Sequence, residues 1–296
     1  MKVLILGSEG FVGQNLVNGL SISHDVYCAD LFEKSNHENY QQFDITNLTS
    51  VDAVIQNVDV VINLAAHSLV SSLNGTIQNA YTNIIGLLNV LESCKKNNIS
   101  KIIFTSASSL IGEPKTQKVS EEHFPTPKTA YGITKLTSEN YLRLYNELYG
   151  INYVVFRFFN IYGPYQKNGL IPSLFNRIIS NEPLTIFGNG DQIRDYVFIQ
   201  DLIPIFDKSI ISNIADNQIV NLGTGIGTTI KEIIQNLSKI LQVSPKLDYL
   251  QERPGEIGNF VADTNKLEKI FGPQQFTNVE LGLEKTVSWL QNTKNH

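Results

Sequence analysis

Apolar runs recur along the first half of the chain, at residues 3–6, 26–29, 60–64, 101–106 and 153–158, and the segments between them carry apolar residues at three- and four-residue spacing. Runs of this length fit strands buried on both faces, and the wider spacing fits helices with one apolar stripe. Strand and helix in alternation predict an α/β fold: a parallel sheet covered on both faces and wound by right-handed crossovers into a doubly wound sheet. The ligand site of such a sheet lies at the carboxyl ends of its strands. From about Gly163 the pattern changes, as Pro164, Gly169, Pro172, Pro183, Gly188 and Gly190 interrupt shorter apolar pieces. That density of chain-breakers predicts a smaller, loop-rich second lobe. The expected division is therefore residues 1–165 and residues 166–296, with the chain free to cross between lobes. A terminal helix is expected over 281–292, where Leu283, Val287 and Leu290 recur at helical spacing.

With 296 residues, 42% of them hydrophobic, the chain can bury the core that such a two-lobed fold requires. Its net charge of -5, with Lys and Arg scattered singly, argues against a nucleic acid or an anionic membrane as partner. No apolar stretch approaches the roughly 18 to 20 residues of a spanning helix, and the first one is too short for a signal peptide, so a cytoplasmic protein is expected. Cys28 and Cys94 are the only cysteines and predict no disulfide framework, and the five histidines show no metal-ligand spacing, so no metal is expected.

Gly7-Ser8-Glu9-Gly10-Phe11-Val12-Gly13 follows the first strand and opens a helix. The glycines permit a tight turn and close approach of a pyrophosphate to the free N–H groups at the helix N-terminus, where the helix dipole favours an anion. The spacing is GxxGxxG, one residue wider at the start than the usual dinucleotide fingerprint. Asp30 ends the second strand, where a carboxylate accepts hydrogen bonds from the adenosine ribose and repels a 2′-phosphate. A Rossmann-type domain holding NAD rather than NADP is the expected result.

Tyr131 and Lys135 lie four apart and share one face of a helix. An ammonium beside a phenol, together with the positive charge of the nicotinamide, stabilises the phenolate, so the tyrosine is expected to move toward the working range of an acid–base catalyst.

The order of the Gly7-to-Gly13 loop, Asp30, Asp44-Ile45, Leu64-Ala65-Ala66, Asn83, Ser106-Ala107-Ser108-Ser109, Tyr131 and Lys135 resembles the extended short-chain dehydrogenase/reductases, and within them the nucleotide-sugar epimerases and dehydratases. The resemblance covers nearly the whole chain. It implies that Asp44 and Ile45 lie near the adenine, that Leu64, Ala65 and Ala66 line the cofactor groove, and that Asn83 supports the active-site helix. It further implies that Lys135 binds the nicotinamide ribose, that Phe159 meets the nicotinamide and that Asn160 meets the sugar nucleotide. Phe187, Arg194 and Tyr196 resemble the family's nucleotide clamp, and Arg253 and Glu256 would add a second guanidinium and a carboxylate. A guanidinium fork suits a diphosphate because it makes paired, charge-assisted hydrogen bonds. Each arginine could instead pair with a neighbouring acid such as Asp195 or Glu256. His67 could touch the cofactor groove, although a packed or solvated loop histidine is the simpler reading.

One segment departs from the family's pattern. Ala107 stands where a Ser or Thr usually hydrogen-bonds the reacting sugar oxygen, and Leu110-Ile111 replaces the usual Val-Tyr pair. Ser108 is next in line to supply the hydroxyl. Ser109 stands where dehydrating relatives carry an acid, which disfavours 4,6-dehydration. The expected activity is thus epimerisation at C4 of a nucleotide-diphosphate sugar. Tyr131 would take the 4-hydroxyl proton as C4 gives up hydride to NAD, and the keto sugar would turn over before reduction from its other face. A 4-keto-sugar reductase and a non-catalytic NAD or sugar-nucleotide sensor are the alternatives, and a homodimer is expected from the resemblance.

Overall fold

The computed structural model describes residues 1–72, 75–114, 116–252 and 258–294. In chain order the strands of the first half are β1 (Lys2–Leu6), β2 (Asp25–Asp30), β3 (Tyr40–Gln42), β4 (Val60–Asn63), β5 (Lys101–Ala107) and β6 (Asn152–Phe158). Those of the second half are β7 (Asn160–Tyr162), β8 (Leu184–Phe187), β9 (Ile193–Phe198), β10 (Gln218–Leu222), β11 (Gly227–Thr229), β12 (Leu247–Leu250) and β13 (Asn259–Phe260). The α-helices are α1 (Phe11–Leu20), α2 (Leu48–Val54), α3 (Leu69–Ser72), α4 (Thr76–Ala80), α5 (Gly86–Lys96) and α6 (Ala130–Tyr149), then α7 (Leu170–Ile179), α8 (Ile203–Ile211), α9 (Ile230–Leu241), α10 (Asn265–Phe271) and α11 (Val279–Lys294).

Seven parallel strands form the main sheet in the order β10-β6-β5-β4-β1-β2-β3. Val3 to Leu6 of β1 are almost inaccessible because helices cover both faces there. One apolar cluster packs Val3, Ile5, Leu16 and Leu20 with Phe156 and Phe206, and a second packs Leu4, Leu6, Val61, Leu91, Phe104 and Leu142 on the opposite side. Alternate residues of the same strands serve the two clusters, as the period of a strand demands. Strand order reverses between β1 and β4, which opens a crevice at their carboxyl ends.

The sheet holds the five strands that the apolar runs predict and two more. β3 has three residues, too short to make a recognisable run. β10 comes from well beyond residue 165: the chain crosses back to pair it with β6, and α8 packs Ile203 against Gly19 of α1. The division at 165/166 therefore does not separate the lobes cleanly. Covering the otherwise open edge of β6 satisfies backbone groups that would stay unpaired.

The second lobe has its own core, in which Phe175, Leu184, Ile186, Phe198, Ile233 and Leu237 meet Leu283, Val287 and Leu290 of α11. Helices α7, α9 and α11 give this lobe more regular structure than its glycines and prolines predict. Cys28 and Cys94 are buried and unbridged. Among the described residues no helix is long and apolar enough to cross a membrane.

Candidate active site

The first strand ends in the glycine loop, and the loop's geometry explains its glycines. Gly7 has φ +87°, and a Cβ there would sit 2.9 Å from the backbone nitrogen of Ala65. A Cβ on Gly13 would lie 2.2 Å from the Gly7 carbonyl oxygen. The chain thus turns tightly and packs α1 hard against the loop. Gly10 caps α1 without any side-chain hydrogen bond, so N–H groups of its first turn stay available to an anion.

Asp30 receives the Leu31 N–H on one carboxylate oxygen (2.7 Å) and the Glu9 N–H on the other (2.9 Å). Burial pushes its carboxyl above the ordinary range, and those two N–H groups pull against the shift. Asp30, Asp44, Ile45, Ala65 and His67 line a cavity of about 530 Å3, and Gly7, Gly10, Leu64 and Ala66 belong both to it and to a second cavity of about 650 Å3. The two form one groove across the carboxyl ends of the strands. A cradle that admits no Cβ, an uncapped helix N-terminus and an acid at the far end fit a dinucleotide, with Asp30 toward its adenosine ribose.

The second cavity holds Tyr131 and Lys135. Thr129 caps α6 by accepting the Gly132 N–H (3.0 Å), so that Tyr131 and Lys135 occupy successive turns from the start of the helix. Both line the cavity, together with Phe11, Val12 and Gly13. Lys135 is 2% exposed; its Nζ donates to the Thr105 carbonyl (2.7 Å) and lies 4.5 Å from the centre of the Phe104 ring. Burial lowers its ammonium to about 7, and Glu139 opposes that shift. Tyr131 keeps some surface open to the cavity, yet burial pushes its phenol up to about 12. In the protein alone desolvation of the phenolate sets the Tyr131 pKa, and the positive charge of the nicotinamide, part of the expected lowering, enters only with the cofactor.

Asn83 is 4% exposed, lies in a π-helical turn (Tyr81–Ile85), and joins the loop after β4 to α6. Its side-chain oxygen accepts the His67 N–H (2.7 Å) and its Nδ2 donates to the His67 carbonyl and the Thr134 hydroxyl, each at 3.1 Å. Thr134 sits between Tyr131 and Lys135 and also donates to Asn79 (3.1 Å). These groups fix the rotation of the helix face that carries the pair.

From the second half of the chain the cavity gains Phe159, Asn160, Arg194 and Tyr196. Asp195 lies on the other side of β9, where its carboxylate takes the N–H groups of Thr224, Gly225 and Ala262. Arg194 donates to the carbonyls of Ile193 (2.9 Å) and Gly258 (3.2 Å). Phe187 lines neither cavity: β8 pairs with β12 in a separate two-stranded sheet, and only alternate residues of a strand share a face. Arg253 and Glu256 lie outside the described residues.

At the end of β5 the wall consists of Thr105, Ser106 and Ala107, whereas Ser108 is buried in the following 3-10 turn and lies outside the lining. The Ser106 hydroxyl is directed to Glu139 (2.7 Å). Ser68, Leu69 and Gln166 also line the cavity and carry no motif that marks them in sequence; only the folding of their loops brings them there. Among the described residues no group of three or more His, Cys, Asp or Glu side chains could hold a metal ion.

Residues 3–223 match the model of the NAD dependent epimerase/dehydratase family. The UDP-glucuronate 4-epimerase of Thermodesulfobacterium geofontis is 29% identical, over 97% of this chain and 95% of its own. A UDP-glucose 4-epimerase from Thermotoga maritima, solved with UDP-glucose, superposes with a TM-score of 0.92 at 29% identity, covering 99% of this chain and 100% of its own. A UDP-glucuronic acid 4-epimerase from Bacillus cereus, solved with UDP-glucuronic acid and NAD, gives 0.91 at 29% identity over the same shares. The chain belongs to the NAD-dependent epimerase/dehydratase family.

Proposed function

We propose that the protein is an NAD-dependent 4-epimerase of a UDP-sugar. The observation that carries this reading is that Tyr131 and Lys135 open into the same cavity as Asn160, Arg194 and Tyr196, continuous with the groove that ends at Asp30. Bound NAD supplies the hydride acceptor and, on the return step, the hydride donor. Arg194 is placed to hold the diphosphate and Asn160 to hydrogen-bond the sugar nucleotide. Phe159, buried against Phe260 with ring centres 5.4 Å apart, presents an apolar wall at the cofactor side and keeps water out. Tyr131 accepts the 4-hydroxyl proton and returns it after the keto sugar has turned over. Lys135, held on the Thr105 carbonyl, supplies the positive charge that stabilises the phenolate.

The test is to incubate the protein with UDP-glucose, UDP-N-acetylglucosamine and UDP-glucuronate, and to read the 4-epimers by NMR. At least one epimer is expected, and Tyr131→Phe should abolish its formation. Unchanged turnover in that variant refutes the reading, and dependence on added NADPH with loss of cofactor each cycle favours a keto-sugar reductase.

The partner assigned on the same reading is a second copy of the chain. Ile77, Tyr81 and Ile85 fall on successive turns and are 86%, 51% and 39% exposed, beside exposed Ile133, Leu144 and Leu148 of α6. Such a stripe suits a two-fold helix-to-helix contact. Light scattering should give a dimer, and Tyr81→Glu a monomer. Buried, unbridged Cys28 and Cys94 suit the reducing cytoplasm, where we place the enzyme.

A further inference from the structure

Behind Tyr131 and Lys135, on the next turn of the same face of α6, stands Glu139, and it is fully buried. Its two carboxylate oxygens receive Arg157 Nε (2.9 Å) and Arg157 Nη2 (2.7 Å), and the first also receives the Ser106 hydroxyl (2.7 Å). Arg157 is 2% exposed and spends its remaining nitrogen on the Glu121 carbonyl (3.1 Å). Three elements are therefore pinned at one carboxylate: α6 through Glu139, β5 through Ser106 and β6 through Arg157. Ser106 lies between Thr105, whose carbonyl holds the Lys135 ammonium, and Ala107, which faces the reacting sugar in the proposed site.

A buried ion pair is a poor way to gain stability, since desolvating both charges cancels most of their attraction. Apolar side chains would clamp the same strands and helix at lower cost. An arrangement that keeps a full negative charge one turn from a buried lysine calls for another purpose. We infer that Glu139 is a positioning residue of the reaction, which through Ser106 and Arg157 fixes the end of β5 and through its charge favours the ammonium form of Lys135 beside Tyr131. The inference rests on Tyr131 and Lys135 being the proton-transferring pair of the proposed epimerase.

The electrostatics run the same way. Among the described residues, the titratable groups facing Lys135 are Tyr131 and Glu139 of its own helix. β5 offers it only the neutral Thr105 carbonyl and the Phe104 ring, and Arg157 of β6 reaches it through Glu139. Glu139 is the group that raises the Lys135 pKa against burial, which by itself lowers it. Without that carboxylate the ammonium would be lost at still lower pH, and the phenolate of Tyr131 would lose its counter-charge.

The experiment compares wild type with Glu139→Leu/Arg157→Met, which removes both charges at similar volume. The 13Cε resonance of Lys135, assigned by its absence in Lys135→Met, is followed against pH, and kcat and KM are measured in parallel with the best UDP-sugar. The double variant is expected to titrate Lys135 about one pH unit or more lower, to lose about tenfold or more in kcat at pH 8 with KM little changed, and to shift the alkaline limb of its rate profile downward. A wild-type titration and rate overturn the inference and leave the pair a clamp. Should the double variant not fold, Ser106→Ala, which keeps both charges and frees β5, must lower kcat several-fold at constant KM; unchanged kcat overturns the inference as well. If wild type epimerises nothing, the proposed activity fails, while the Lys135 resonance still tests what Glu139 does.

Discussion

Gly13→Ala tests how the glycine loop holds its cofactor. The new Cβ would lie 2.2 Å from the Gly7 oxygen, 2.6 Å from the Ser8 oxygen and 2.7 Å from the Ser8 carbonyl carbon, where ordinary contact begins at 3.4 Å. The loop and α1 must separate by about 1 Å to make room. The loop cannot retreat freely: the Gly7 N–H is bonded to the Ala29 carbonyl (2.8 Å), and a Cβ on Gly7 itself would already meet Ala65. The helix therefore moves, and the N–H groups at its start move with it. Overpacking of this kind costs about 1–3 kcal/mol of stability, or roughly 2–10 °C in Tm for a chain of this size. Losing two hydrogen bonds to charged phosphates costs about 3 kcal/mol or more, a weakening of NAD binding by roughly 100-fold. Isothermal titration with NAD reads the affinity, and circular dichroism shows that the variant is folded. Gly150→Ala is the control, since Gly150 has φ +71° with nothing within 4 Å of its Cβ position: it should lose a little stability and no affinity. A folded Gly13→Ala protein that binds NAD within threefold of wild type would refute the reasoning.

Ala107→Ser places a hydroxyl on the cavity wall where Ser106 is engaged with Glu139 and Ser108 lies outside the lining. Because one such donor is worth about 10²-fold or more in rate, kcat should rise by about tenfold or more, and a fall would show that another group already fills that role. Arg194→Lys should raise KM for the UDP-sugar by roughly tenfold with NAD affinity unchanged, since a fork is replaced by a point charge; equal loss of both affinities would place Arg194 elsewhere. Lys135 falls from 10.5 to about 7 on burial, so between those values the unfolded chain binds more protons and the cofactor-stripped protein gains stability as pH rises. Relative to Lys135→Met, wild type should gain about 1 kcal/mol per pH unit, about 2–4 °C in Tm, from pH 7 to 9, with the full burial penalty present below 7. Equal slopes in the two proteins would mean that burial does not depress Lys135 and that it stays charged in the folded protein across that range.

Much of this molecule can be read from its residues. The runs around Val3, Val26, Val60, Ile102 and Val154 specify inner strands because strands buried on both faces must be apolar along their whole length. Gly7 and Gly13 mark the tight turn into α1 because backbone conformation and close approach admit few other residues there, and Asp30 marks the end of β2 by its charge. Tyr131 and Lys135 share a face because they are one helical turn apart. Local rules of this kind need no knowledge of the rest of the fold.

What tertiary structure decided is everything that depends on which distant segments meet. β10 joins the first sheet, although its sequence follows the change in texture at Gly163, because the edge of β6 must be covered. Arg194 and Tyr196 line the cavity while Phe187 is not among its lining residues, a difference that motif letters do not carry. Thr105 and Glu139 look unremarkable as letters, yet packing puts the Thr105 carbonyl on the Lys135 ammonium and buries Glu139 behind it. Burial, too, set the acidity of the central pair: adjacency of Tyr131 and Lys135 predicts a lowered phenol, but the dielectric around them is made by the whole fold, and it raises the phenol and lowers the ammonium instead.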